Sequence, residues 1–230
     1  MHKDVLFSLP GAMRGAKRSI PLAISDFTIG IAFGVLTHQA KINLVESALM
    51  SGLVFAGAAQ FVALSLWSIP LPVITILLTT LIVNLRHILM GASLRPWFAR
   101  LSPLKAYALL FFMVDESWAL LIKDFDEGNC DCAFLLGSGL LLLIGWTGGT
   151  MVGQTMGMII QDPKLWGLDF AFTAAFAALL TTMWKGKPDL LPWLTAGIVA
   201  VATSYLLPGK WYILLGGLAG SLIGAFSDAR

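Results

Sequence analysis

Three groups of polar residues lie inside long apolar runs, and each can hold charge or move a proton. Asn84-Leu85-Arg86-His87 closes a run that begins near Leu71. Asn84 and His87, three residues apart, share a helix face, and Arg86 is rotated by about 100° per step from its neighbours. Asp115-Glu116-Ser117-Trp118 interrupts the run Leu104–Ile122, and Asp26 sits between Ser25 and Thr28 in the run Pro21–His38. An ionised side chain at the centre of a bilayer costs about 2.5–3.5 kcal/mol on insertion scales, so such residues face a partner or a hydrated cavity.

Two readings stand for each group. Arg86 or His87 binds a carboxylate or relays a proton, or else Arg86 lies near the polar boundary and snorkels. Asp115 and Glu116 take up and release protons or hold an amino group, or else one of them forms a static ion pair with Arg86. Asp26 is a proton-coupling candidate by default, unless its place soon after Pro21 puts it at a cavity mouth.

A fourth group offers backbone rather than side-chain chemistry. In Phe55-Ala56-Gly57-Ala58-Ala59-Gln60-Phe61 the second run is expected to break at Gly57, Ala58 and Gln60. Freed backbone groups at half-helix ends can bind a zwitterion, with donors on its carboxylate and carbonyls on its ammonium. Ordinary small-residue packing is the plainer account, and Gly145, Gly148, Gly149 and Gly153 admit the same pair of readings. His2 and His38 read as incidental polar residues, and Cys130 and Cys132 as loop thiols; no metal site is expected. There is no phosphate-binding glycine loop, no nucleophile elbow, no His-Glu-x-x-His and no basic nucleic-acid surface. An enzyme is not expected, nor is a cofactor.

The elements that position these residues follow from composition. Of 230 residues, 57% are hydrophobic and 12% charged, about half the charge of an average soluble domain. A bilayer crossing needs about 20 apolar residues. Eight segments qualify or nearly so: Pro21–His38, Leu44–Trp67, Leu71–Met90, Leu104–Ile122, Ala133–Met151, Leu168–Met183, Leu190–Leu207 and Trp211–Phe226. Pro70, Pro72 and Pro208-Gly209 separate neighbours, and tryptophans cluster near segment ends as interfacial belts do.

Charge then decides the layout. If every segment crosses, Arg95, Arg100 and Lys105 oppose the basic N-terminus across the membrane, against the excess of Lys and Arg in cytoplasmic loops. If the second and sixth segments re-enter instead, 11 of the 15 basic residues fall on the N-terminal side. Lys41, Lys123, Lys210 and the acidic loop Asp124–Asp131 are then expected on the other. The expected fold is therefore an all-α polytopic membrane protein, with about six full transmembrane helices plus two re-entrant or broken segments in an inverted-repeat arrangement. Its parts are a cytoplasmic lead-in 1–20, where Gly11 and Gly15 weaken helicity, a first repeat 21–91, a linking helix 104–124, a second repeat 133–207 and a last helix 211–226.

Taken together, Phe33-Gly34, Phe55–Phe61, Asn84–His87 and Asp115-Glu116 make roughly residues 15–226 resemble the AzlC family of branched-chain amino-acid permeases. That resemblance implies export of branched-chain or related hydrophobic amino acids across the bacterial inner membrane, driven by the proton gradient. It also implies a small hydrophobic AzlD-type partner subunit, while the basic residues before Pro21 place the N-terminus in the cytoplasm. Asn84, Arg86, His87, Gly57, Ala58 and Gln60 are the expected substrate contacts, with Asp115, Glu116 and Asp26 as coupling residues. The chain departs from the family at Ser25-Asp26-Phe27-Thr28, where relatives often carry Gly-Tyr-x-Pro, and the added carboxylate leaves the exact substrate open. The rival readings are an uncoupled channel subunit and a non-transporting structural subunit.

Overall fold

The computed structural model describes residues 7–159, 177, 181, 184, 186–207 and 211–228. His2, the Pro208-Gly209 break, Phe172–Phe176 and nearly all of the expected sixth segment, Leu168–Met183, lie outside the described residues. Among those described, four helical stretches are long and apolar enough to cross a membrane: Leu9–Gln39, Val73–Ser93, Ala133–Ile159 and Lys187–Leu206. The chain is an all-α polytopic membrane protein.

Helix α1, Leu9–Gln39, begins inside the expected lead-in; Ser8 caps it by accepting the Gly11 N–H. Gly11 and Gly15 are helical and stand where the backbone meets a neighbour. That neighbour is α9, Ala133–Ile159. The two run side by side in the same direction: Gly15 faces the Phe134 carbonyl, Ala23 meets Gly145, Phe27 meets Gly149, and Ile31 meets Gly153. Small residues at such a seam let two backbones approach closely. The ends of the seam are fastened by polar contacts. At the start, Ser8 bonds the Asp131 carboxylate through both its N–H and its hydroxyl. At the finish, His38 donates to Gln154 at 3.1 Å, and Gln154 in turn donates to the Ile42 carbonyl.

Between these two helices the chain makes two hairpins. Helices α2, Leu44–Val54, and α3, Gly57–Ser65, are joined by Phe55 in the left-handed region (φ 44°) and Ala56. Asn43 and Glu46 form a capping box at the start of α2. The chain then turns back: Gln60 returns to Ser51 at 3.4 Å, and Phe61 packs on Phe33, farther along α1 than the turn. This is the expected break, and the pair re-enters from the end where α1 finishes. Helices α4, Val73–Asn84, and α5, Arg86–Ser93, then run back to the start of the bundle, followed by the short α6, Arg95–Phe98.

The fourth segment departs from expectation. It is not one linking helix over 104–124 but two, α7, Pro103–Leu110, and α8, Asp115–Asp126, with an extended Val114 before α8. Lys105 lies over the Phe7 ring and Phe125 stacks on Trp97 at 4.2 Å, so both ends of this hairpin sit at the start of α1. Its turn reaches inward to Phe55, with the Phe55 and Phe111 rings 6.3 Å apart. Two half-depth hairpins thus enter from opposite ends and meet.

Two layout expectations are corrected with it. The acidic loop and Lys123 lie at the same end as the basic start of α1, because Asp124 is fully buried between Arg14 (3.0 Å) and Arg18 (3.2 Å). Glu127 takes the second arm of Arg18 at 2.6 Å. The first and fifth segments are parallel rather than inverted. The inverted pattern takes another form: α1, the α2–α3 hairpin and α4–α5 are mirrored in direction by α4–α5, the α7–α8 hairpin and α9. The expected second repeat, 133–207, includes residues outside those described. Helices α10, Leu190–Leu206, and α11, Trp211–Asp228, pair through Gly216 and Gly220 against Ala196 and Ala200.

The Asp124 cluster yields a first expected result. Asp124→Ala leaves two guanidiniums without their shared carboxylate. Removing one partner of a buried pair costs about 3–5 kcal/mol, discounted here to about 1–3 because both arginines are a third exposed. A drop of the thermal midpoint in detergent, smaller for Asp124→Asn, is expected; an unchanged midpoint refutes the clamp.

Candidate functional site

Where the two hairpin turns meet, a small, partly open cavity of about 60 Å³ lies between them. Asp26 and Ile29 reach it from α1; Phe55, Ala56, Gly57, Ala58 and Phe61 from the first hairpin; Arg86 and His87 from α5. Val114, Asp115 and Glu116 come from the turn of the second hairpin, and Trp146 from α9.

Each position has a local cause. Ser117 holds the start of α8 by accepting the Val114 N–H at 2.9 Å and donating to the Phe112 carbonyl at 2.8 Å. Asp115 and Glu116 therefore occupy the first turn of a helix, where the positive end of the dipole favours carboxylates. Arg86 reaches Asp115 at 2.9 Å, with side chains 28% and 45% exposed. A pair so accessible is worth about 0–1 kcal/mol, so it can part for a competing ion. His87 donates through Nδ1 to the Asn84 carbonyl at 3.2 Å, which fixes the ring.

At α3 the helix start has no side-chain cap, so the first N–H groups, of Gly57 and Ala58, present donors to the cavity those residues line. Gln60 does not line the cavity. It is 1% exposed; its Oε1 accepts the Ala56 N–H at 3.2 Å and the Trp146 indole N–H at 3.1 Å, while its Nε2 donates to Ser51. Ser51 continues to Thr150 at 2.9 Å. Gln60 thus anchors the strained turn to α9. Asn84 also stays out of the cavity; its Oδ1 is buried with no hydrogen-bond partner.

Sequence reasoning did not single out Trp146, which looked like one more apolar residue of the fifth segment. Nor did it place Ile29, Val114 and the two phenylalanines Phe55 and Phe61 as cavity wall. Among the described residues no group of His, Cys, Asp and Glu could hold a metal ion. Cys132 is buried at the basic end, its thiol pushed up to about 12 by that burial and by Asp131 and Cys130. Both cysteines are free.

Charged groups gathered around a cavity between two broken elements, inside a bundle of apolar helices, define a membrane protein of the transporter class. The "AzlC protein" family model matches residues 21–160, and the chain belongs to the AzlC family. The branched-chain amino acid transport protein AzlC of Bacillus subtilis (strain 168) is 29% identical over 197 residues, covering 85% of this chain and 77% of its own. The inner membrane protein YgaZ of Escherichia coli (strain K12) is 26% identical over 223 residues, covering 94% and 90%. A membrane protein of Haemophilus influenzae is 29% identical over 208 residues, covering 88% and 82%. No solved structure matches the chain.

Proposed function

We propose that the chain is a secondary transporter that exports branched-chain or other hydrophobic amino acids across the bacterial inner membrane, coupled to protons. It works with a small hydrophobic AzlD-type subunit, and its N-terminus is cytoplasmic. The observation that carries this reading is the division of charge around the cavity. The uncapped start of α3 offers N–H donors on one side, and the first turn of α8 offers Asp115 and Glu116 on another. A free amino acid has the matching pair of charges, carboxylate and ammonium. Arg86 can give up Asp115 to the substrate's ammonium and take its carboxylate instead, since the pair is held weakly. The apolar wall of Ile29, Phe55, Phe61 and Trp146 suits a hydrophobic side chain.

Asp26 and Glu116 line the same cavity, which leaves two carboxylates beyond Asp115, the one that the substrate's ammonium takes. That surplus is where a coupling proton resides. Membership of the AzlC family and likeness to a branched-chain amino acid transport protein support the substrate class. The test is efflux from proteoliposomes over the twenty amino acids, with and without the small subunit. Saturable flux of valine, leucine and isoleucine that follows an imposed pH gradient is expected. Flux that rises linearly without saturation indicates a channel, and no flux with the partner present refutes a transporter.

A further inference from the structure

We propose that Trp146 determines specificity, as a fixed wall that limits the size of the side chain the cavity accepts; this rests on the amino-acid reading above. The indole is held from three directions. It stacks on Phe33 (5.4 Å between centroids, 30° between planes), meets Phe61 edge-on (6.0 Å, 69°), and donates its N–H to Gln60 at 3.1 Å. With 6% of its surface exposed it cannot swing aside to make room. A ring held by two aromatic neighbours and a hydrogen bond has no alternative rotamer that keeps all three.

What the ring limits follows from its position. The far edge of its six-membered ring comes within 3.3 Å of where a β-carbon would stand on Gly57. Gly57 is the first residue of α3, so the ring edge adjoins the N–H donors to which the substrate carboxylate binds. An amino acid held there by its carboxylate carries its Cα one bond away, and its side chain comes up against the indole. Short branched aliphatic side chains fill the space left by the indole, Phe61 and Ile29. An aromatic side chain overlaps the indole. The indole N–H is taken by Gln60, so Trp146 acts on size rather than on the binding of ammonium or carboxylate.

The test compares phenylalanine and valine transport by the reconstituted full chain with its small subunit. Trp146→Ala is expected to raise the phenylalanine-to-valine ratio at least tenfold, and Trp146→Phe, which keeps the stack on Phe33, to raise it by a smaller factor. Gly57→Ala, which pushes a methyl group against the ring, is expected to lower the ratio. A ratio within twofold of the unmodified chain in Trp146→Phe and Gly57→Ala overturns the proposal, as does an equal fall of both fluxes, which a merely structural role would give. If Trp146→Ala fails to fold, the other two variants decide the matter. An unmodified chain that moves neither amino acid overturns both this proposal and the transporter reading; one that moves valine with unchanged ratios in the variants overturns this proposal alone.

Discussion

Replacing Asp115 by Asn together with Glu116 by Gln is expected to lower the proposed amino-acid transport at least a hundredfold. Both substitutions keep side-chain size while removing charge, so a change of packing volume is not the cause. A hydrogen bond to a charged group is worth about 1.5–3 kcal/mol, and each 1.4 kcal/mol is a factor of ten. Loss of the proposed Asp115 contact to the substrate's ammonium, together with loss of the proton site at Glu116, accounts for the expected fall. The single variants separate the roles. Glu116→Gln leaves the Arg86–Asp115 pair intact, and is expected to keep substrate exchange while losing its response to a pH gradient. Asp115→Asn strands Arg86 in the cavity and weakens binding itself. Counterflow and pH-jump efflux from proteoliposomes read the two effects apart; normal valine export by the double variant would overturn the assignment.

The second large effect involves packing rather than charge. In Gly34→Val combined with Gly149→Val, side-chain atoms collide with the carbonyl oxygens of Thr150 and Phe27. Overpacking a core usually costs about 1–3 kcal/mol because side chains can shift. Here the obstruction is backbone on a neighbouring helix, so α1 and α9 must separate and forfeit contacts along their whole length. Against a total stability of about 5–15 kcal/mol, the double variant is expected to yield at least tenfold less monodisperse protein on size-exclusion chromatography. Gly52→Ala and Gly197→Ala, with nothing near the added methyl, serve as matched controls. Equal yields across the set would refute the seam.

Much of this was legible in the residues themselves. An Asp, an Arg and an Asp-Glu pair in apolar runs announce a shared polar chamber, because hydrocarbon tolerates them nowhere else. The cavity does collect Asp26, Arg86, His87, Asp115 and Glu116 with Gly57 and Ala58. The break near Gly57 was visible in its small residues. The turn at Phe111–Val114 was not, since Phe-Phe-Met-Val contains no glycine or proline. A signal was nonetheless present: two acids followed by Ser117 are what a helix start looks like, but inside an apolar run they read as intramembrane charge alone. The Asp124–Asp131 loop was misplaced because the fourth segment reads as one full crossing, whereas its hairpin returns the chain to the end where α1 begins. Arg14 and Arg18 are neutralised by that very loop. Gln60 and Asn84 looked like ligands because a sequence shows which side chains are polar, not which already have backbone or indole partners.

The left-handed torsion at Phe55 has a consequence for how this chain is threaded. A helix running unbroken from Leu44 to Ser65 would be about 33 Å long at 1.5 Å per residue, sufficient to traverse the hydrocarbon. Only the dihedral angles of Phe55 and Ala56 fold that stretch back on itself. Straightening it would deliver the chain to the opposite face and reverse the direction in which the next helices cross, placing Arg86 and Asp115 in a protein of opposite orientation in the bilayer. The topology of all that follows is thus set by the rotation of two residues, a decision that hydrophobicity leaves open.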